Sequence, residues 1–238
     1  MSKLTGKLTV QELYSSSATA GHDVGFKVED TQGNRYRYVL NGAVALVEGN
    51  LIQSSARDVQ FTEMAVPAVV AIGAKTLVIT NGTTTTTANQ FVGGTLTVTT
   101  STGIGQVFTI VGNDVAVSGA ALTFTIAEPV RVALATTSKV TAHMNDHAKV
   151  IVSPTTRTGK TVGVAIFRIA AGEYGFVQSG GSASVLSDVT VAALGEGISP
   201  STTTAGAVTK QVTLLENIGT ASILGVSAKV SPVWLMID

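Results

Sequence analysis

The segment Thr95-Leu96-Thr97-Val98-Thr99 alternates polar and apolar residues without a break, and Leu122-Thr123-Phe124-Thr125-Ile126 does the same. A period of two sends successive side chains to opposite faces of a pleat, so these runs bury one clean face only as strands. Thr and Val branch at Cβ and suit that backbone better than a helix. Residues 106–111 form a third run of this kind. Gly93-Gly94, Gly103, Gly105, Gly112-Asn113-Asp114 and Gly119 punctuate the three as turns, the pattern of an antiparallel meander.

Nearer the N-terminus, residues 26–30 and 35–39 flank Thr31-Gln32-Gly33-Asn34, which predicts a hairpin with Gly33 at positive φ. Further β-rich runs lie at 130–135, 149–152, 161–168, 174–178, 183–186, 189–194, 211–215, 223–229 and 233–237. Glu12-Leu13-Tyr14 and the Ser/Ala run after it allow one helical turn at most. The fold class is therefore all-β: an antiparallel β-barrel or sandwich, a second Thr-rich β subdomain and an extended N-terminal arm.

Charge sets the expected boundaries. Between residues 64 and 127 only Lys75 and Asp114 are charged, whereas residues 1–63 hold thirteen charges. We expect an arm over 1–24, a barrel core from 25–60 and 128–238, and a low-charge β subdomain over 61–127, inserted into the barrel. Neutral β-branched edges invite uncontrolled strand pairing, so closure or cover by a partner is expected.

The whole chain is charge-poor as well. Fifteen Lys and Arg balance fifteen Asp and Glu, and charged residues make up 13% of the 238. A folded monomer of this mass exposes roughly 10,000 Å², about one charge per 330 Å² and around half the usual density. Interface cores are depleted in charge, so part of this surface is expected to lie under other subunits. Balanced charge argues against a nucleic-acid partner and against a polybasic membrane-surface protein. Zero cysteines exclude a disulfide scaffold, thiolate catalysis and a cysteine zinc site. The start of the chain has lysines but no apolar stretch of a secretory signal, and the most apolar run, 64–74, is too short to span a bilayer. Synthesis in the cytoplasm is expected.

Three motifs come near to chemistry. His143 and His147 are four residues apart, a metal-binding spacing on a helix, but on strand they stand about 13 Å apart, too far for one ion. Residues 154–161 end in Gly159-Lys160-Thr161 like a phosphate-binding loop, but Pro154 occupies the first Gly position and a strand follows instead of a helix. Gly180-Gly181-Ser182-Ala183-Ser184 lacks the second Gly of a nucleophile elbow. No enzyme activity, cofactor or metal is expected.

Several phrases resemble virion structural proteins of tailed bacteriophages, of the capsid decoration (cement) and head-fibre base type. They are Gly33-Asn34-Arg35-Tyr36-Arg37-Tyr38-Val39 running into Asn41-Gly42-Ala43-Val44-Ala45-Leu46, Glu128-Pro129-Val130-Arg131-Val132, and Val162-Gly163-Val164-Ala165 with Ala171-Gly172-Glu173-Tyr174-Gly175-Phe176-Val177-Gln178. The closing Pro232-Val233-Trp234-Leu235-Met236-Ile237-Asp238 is similar as well. The resemblance covers most of the chain from residue 33 onward. It implies a non-enzymatic, commonly trimeric protein on the outer head surface of the virion, with the major capsid protein as partner. The neutral stretch 61–127 departs from the compact decoration proteins and is read as a projecting domain. A tail, baseplate or head-fibre role in host attachment, or a bacterial surface β module, stands as the alternative.

On this reading the arm is the capsid anchor, through Leu4, Leu8, Val10, Leu13 and Tyr14. The polar segment around Asn81, Gly82, Thr83, Thr84 and Thr85 is the exposed loop.

Overall fold

The computed structural model describes residues 4–5, 9–188, 192–211 and 215–238, and it is all-β. The strands are β1 (Leu4–Thr5), β2 (Lys27–Asp30), β3 (Arg35–Leu40), β4 (Leu51–Gln53), β5 (Met64–Ala65), β6 (Thr76–Thr80), β7 (Thr95–Thr100), β8 (Val107–Asn113) and β9 (Ala121–Ile126). They continue with β10 (Lys139–His143), β11 (Ile151–Val152), β12 (Thr161–Ala165), β13 (Tyr174–Ser187), β14 (Gly197–Pro200), β15 (Ala207–Lys210), β16 (Gly219–Ala221) and β17 (Val230–Met236). Among the described residues a short α-helix, α1, spans Val10–Leu13, and a 3-10 turn spans Val59–Phe61.

Two compact units divide the chain: Met1–Ala56 with Asp146–Asp238, and Arg57–Asn145. The second unit thus starts before residue 61 and runs well past 127. The charge gap ends at Glu128, yet β10, which carries Lys139, pairs with both β5 and β7 and belongs to the same sheet. Charge marks strand positions that face water; it does not mark where a sheet stops.

The sheet of the second unit runs β5-β10-β7-β8-β9-β6, and β7, β8 and β9 form the meander read from their periodicity. Leu96 and Val98, Phe108 and Ile110, and Leu122, Phe124 and Ile126 point into one core with Leu77, Ile79 and Phe91. The alternate residues Thr76, Val78, Thr95, Thr97, Val107, Thr109, Thr123 and Thr125 face outward. The runs 174–178 and 183–186 are one strand, β13, of fourteen residues. Its second half closes a ring with β15, β14, β16 and β17, antiparallel except for the β13–β15 pair. Val185, Ile198, Val208, Ile218, Val233 and Leu235 fill that ring. The first half of β13 pairs with β3 and β12, extending the sheet to β2 and β4.

One turn is used repeatedly. Leu46-Val47-Glu48-Gly49-Asn50, Val70-Ala71-Ile72-Gly73-Ala74, Ala116-Val117-Ser118-Gly119-Ala120, Ile169-Ala170-Ala171-Gly172-Glu173 and Ala192-Ala193-Leu194-Gly195-Glu196 each stand at the entry of a strand. In each, the fifth residue donates its N–H to the second residue's carbonyl, and the glycine has φ between 70° and 87°. Positive φ at the third turn position defines a type II turn, where a Cβ is strained.

Some expected strands are absent. Residues 130–135 form a loop joined to the second unit by the Val70–Leu134 bridge, and 223–229 form turns before β17. Of the runs 189–194 and 211–215, residues 189–191 and 212–214 lie outside the described residues.

The N-terminal arm is held by its own chain. A capping box at Thr9 and Glu12 starts α1. Leu13 is buried with Val28, Tyr36, Tyr38 and Phe176. Ser17 and Tyr174 exchange two backbone hydrogen bonds, and the Gly21 N–H donates to the Tyr38 hydroxyl. His22 then stacks on Phe26 at 4.9 Å. The sequence hid this because the partners are aromatic residues on strands far along the chain.

Candidate interaction surfaces

Asn81 is a buried bracket, which corrects its reading as an exposed residue. It ends β6 at the point where the chain must turn away while still satisfying three carbonyls. Its Nδ2 donates to the carbonyls of Thr84, Ala116 and Val117 at 3.0–3.1 Å, and its Oδ1 accepts from the Thr86 hydroxyl. Gly82 is half-buried, while Thr83, Thr84 and Thr85 are exposed as expected. The Thr83 hydroxyl donates to Gln60. The loop is thus a fixed display, pinned at Asn81 and by the Thr86–Ala116 bridge.

Another part of the second unit presents apolar side chains on equally fixed loops. Val69 (70% exposed), Ile72 (69%), Ile104 (66%) and Val132 (49%) come from three loops. Two of these loops are tied by the Val70–Leu134 bridge. The third is tied by buried Gln106, whose Nε2 donates to the carbonyls of Gly103 and Val132. Its Oε1 accepts the N–H groups of Arg131 and Val132. Residues 66–75, 101–106 and 129–137 contain only Lys75 and Arg131 as charges, and the Arg131 guanidinium lies 5.9 Å from the Phe108 ring centroid. Loops so constrained lose little entropy when their apolar tips are covered. A buried glutamine making four backbone bonds has no signal in a single sequence.

A charged recess lies in the first unit. Arg37, Asp146, His147, Lys160, Thr161 and Asp238 line a cavity of about 60 Å³. Arg37 holds Asp238 through Nε and Nη2 and donates Nη1 to the Gly25 carbonyl. Hydrogen bonding to Arg37 pulls the Asp238 carboxyl below the usual range, with the guanidinium charge adding to it. Burial pushes His147 below its ordinary value, and the Arg37 charge adds to the effect. The cavity has room for only a few waters; substrate pockets measure roughly 300–1,000 Å³.

His143 ends β10 with its Nδ1 2.8 Å from Arg57 Nη1, and His147 belongs to the other unit. Among the described residues, no three His, Asp or Glu side chains gather as metal ligands. Lys160 precedes a strand, with its N–H on the Ser54 hydroxyl. No described helix is long and apolar enough to cross a membrane.

The anchor candidates separate. Leu13 is core, which removes it as a contact for a partner, while Val10 at the start of α1 and Tyr14 just after its end stand half-exposed. Leu4 lies in β1 opposite Asp30, and Leu8 lies outside the described residues. No family model matches the chain, and no curated protein or solved structure does either.

Proposed function

We propose that the protein is a non-enzymatic virion structural protein, a trimeric capsid decoration protein that binds the outside of a phage head and stabilises subunit junctions. One observation supports this above the others: Val69, Ile72, Ile104 and Val132 are held out to solvent on loops locked by Gln106 and by the Val70–Leu134 bridge. Rigid loops with apolar tips and almost no charge fit a preformed protein surface, since their ordering cost is already met. The contact with the major capsid protein moves accordingly from the arm to the second unit. Many weak copies acting on one shell add up to strong reinforcement.

The test is co-sedimentation with undecorated heads of the phage whose genome carries the sequence. Wild-type protein should pellet with the heads, and Ile72→Asp with Ile104→Asp should stay in the supernatant while keeping its circular dichroism. A wild-type protein that never pellets refutes the decoration role, and a double variant that pellets normally moves the contact away from these loops.

A further inference from the structure

Strand β17 alternates strictly. Ser231, Val233 and Leu235 are buried, and Val230, Pro232, Trp234 and Met236 face outward. The outer face of an antiparallel strand on a one-sided sheet is normally polar. Here all four positions are apolar, with Val230 52%, Trp234 47% and Met236 50% exposed. They include the chain's single tryptophan. The neighbours across the middle of the sheet are small: Ser182 and Thr220 flank Trp234 and Ser184 stands opposite Pro232, while Leu186 faces Val230 at one end and Arg35 lies over Gly180, opposite Met236, at the other. The result is an uncharged ridge about 20 Å long, with shallow grooves beside it. Exposed Ile223 shares the mouth of the strand ring with Pro232, and exposed Leu224 and Val226 follow in the turn leading to β17.

We propose that a second copy of this chain covers the β17 face, with Trp234 at the centre of the seam. The inference rests on the self-association in the reading above and names the surface that makes it. Area favours a copy of the same chain. The ridge with Ile223, Leu224 and Val226 leaves on the order of 700 Å² exposed, close to the roughly 800 Å² per partner of a standard stable interface. The ridge residues themselves carry no charge, and the Arg35 guanidinium lies over Gly180 at the Met236 end of the face. Trp and Met are the residue types enriched in such seams. A ridge entering a neighbour's groove of serines makes a head-to-tail contact, and three such contacts close a ring.

Trp234 is its own reporter. Light scattering on wild-type protein should give a mass of three times 24.2 kDa. Indole emission should be blue-shifted and shielded from iodide, and dilution should shift it red as the mass falls. Met236→Glu alters an outward position, so the ring core and circular dichroism should persist. The mass should drop to a single chain and iodide quenching should rise several-fold. Ile72→Asp should leave the mass unchanged. A wild-type mass of 24.2 kDa with iodide-accessible Trp234 at tens of micromolar overturns the proposal. So does an oligomer that Met236→Glu leaves intact; if that variant also loses binding to heads, the face belongs to the shell. An oligomer with shielded Trp234 that fails to pellet with heads refutes the decoration role and leaves this seam standing.

Discussion

The two units solve one local problem with the same device and then differ in what they show to solvent. Asn41 follows β3 in the first unit as Asn81 follows β6 in the second, and a glycine comes next in both. Asn41 Nδ2 donates to the carbonyls of Val44, Ile169 and Ala170, and Asn81 Nδ2 to those of Thr84, Ala116 and Val117. Five residues on, Leu46 bridges Ile169 and Thr86 bridges Ala116, each leading into the same turn, with Gly49 at positive φ in the first and Asn89 in the second. The surroundings diverge. Eight of the thirty charged residues lie between Arg57 and Asn145, and the rest belong to the first unit. Backbone geometry is therefore set by a few buried polar brackets, which leaves the outer faces free: charged cavity and docked arm in one unit, Thr and Val in the other.

The largest effect should come from emptying one core. Phe124 is fully buried among residues of the second unit alone. Phe124→Ala should cost about 3–5 kcal/mol. Hydrogen exchange should speed up across Arg57–Asn145 while β13 and β17 keep their protection. Equal loss of protection in both units would show that they do not hold separate stabilities.

The arm is the next test, because only the first unit is strapped in this way. Leu13→Ala should cost about 2–4 kcal/mol by opening the cluster around Phe176. Proteolysis within residues 9–26 should accelerate, and the thermal midpoint should fall. Unchanged cleavage would mean that the strap is held by the Ser17–Tyr174 and Gly21–Tyr38 hydrogen bonds alone.

The Asn brackets sharpen the comparison further. Asn41→Ala and Asn81→Ala each remove three side-chain bonds to carbonyls, of which Ile169 and Ala170, or Ala116 and Val117, keep a backbone partner, a loss of about 1–3 kcal/mol. Asn81 should cost more, because its Oδ1 also takes the Thr86 hydroxyl, whereas Asn41 Oδ1 is buried without a partner. Thr86→Val keeps the shape and removes that bond, so it should cost about 1 kcal/mol and bring the two brackets level. Chemical denaturation of the three variants checks the order.

Period two was legible wherever one face was buried and the other exposed: β2, β3, β7, β8 and β9 lie close to where the alternation put them. It failed where both faces are covered. β4 and β12 are buried throughout, so neither carries alternation; β4 is missed, and β12 is read only from the β-rich composition of 161–168. The repeated turn was visible as an apolar residue three places before a glycine, but its meaning depends on the opposite bridge partner, as far away as Ile169 is from Leu46. The interaction surfaces were the least legible. Ile72, Ile104 and Trp234 read as core by residue type, and only the packing shows that their faces are uncovered.

The smallest effect belongs to the charged cavity of the first unit, which has a sign that can be worked out. Burial, with the Arg37 charge, lowers the folded-state pKa of His147, while Asp146 and Asp238 oppose this and Lys160 adds to it. The unfolded chain takes up the proton near the ordinary value of about 6.5. Above that pH both states are neutral at this site and nothing is lost. As pH falls below it, the unfolded state binds a proton that the folded state resists, so stability declines until the depressed folded value is passed. The Arg37–Asp238 pair acts in a separate, more acidic window, because a lowered carboxylate gives up its contribution only as it becomes protonated. Thermal midpoints of wild type between pH 7 and 5 should therefore fall, and His147→Gln should flatten the decline without changing the loss below pH 4. A His147→Gln profile parallel to wild type would place the titration elsewhere, with His22 or His143 the remaining histidines to replace.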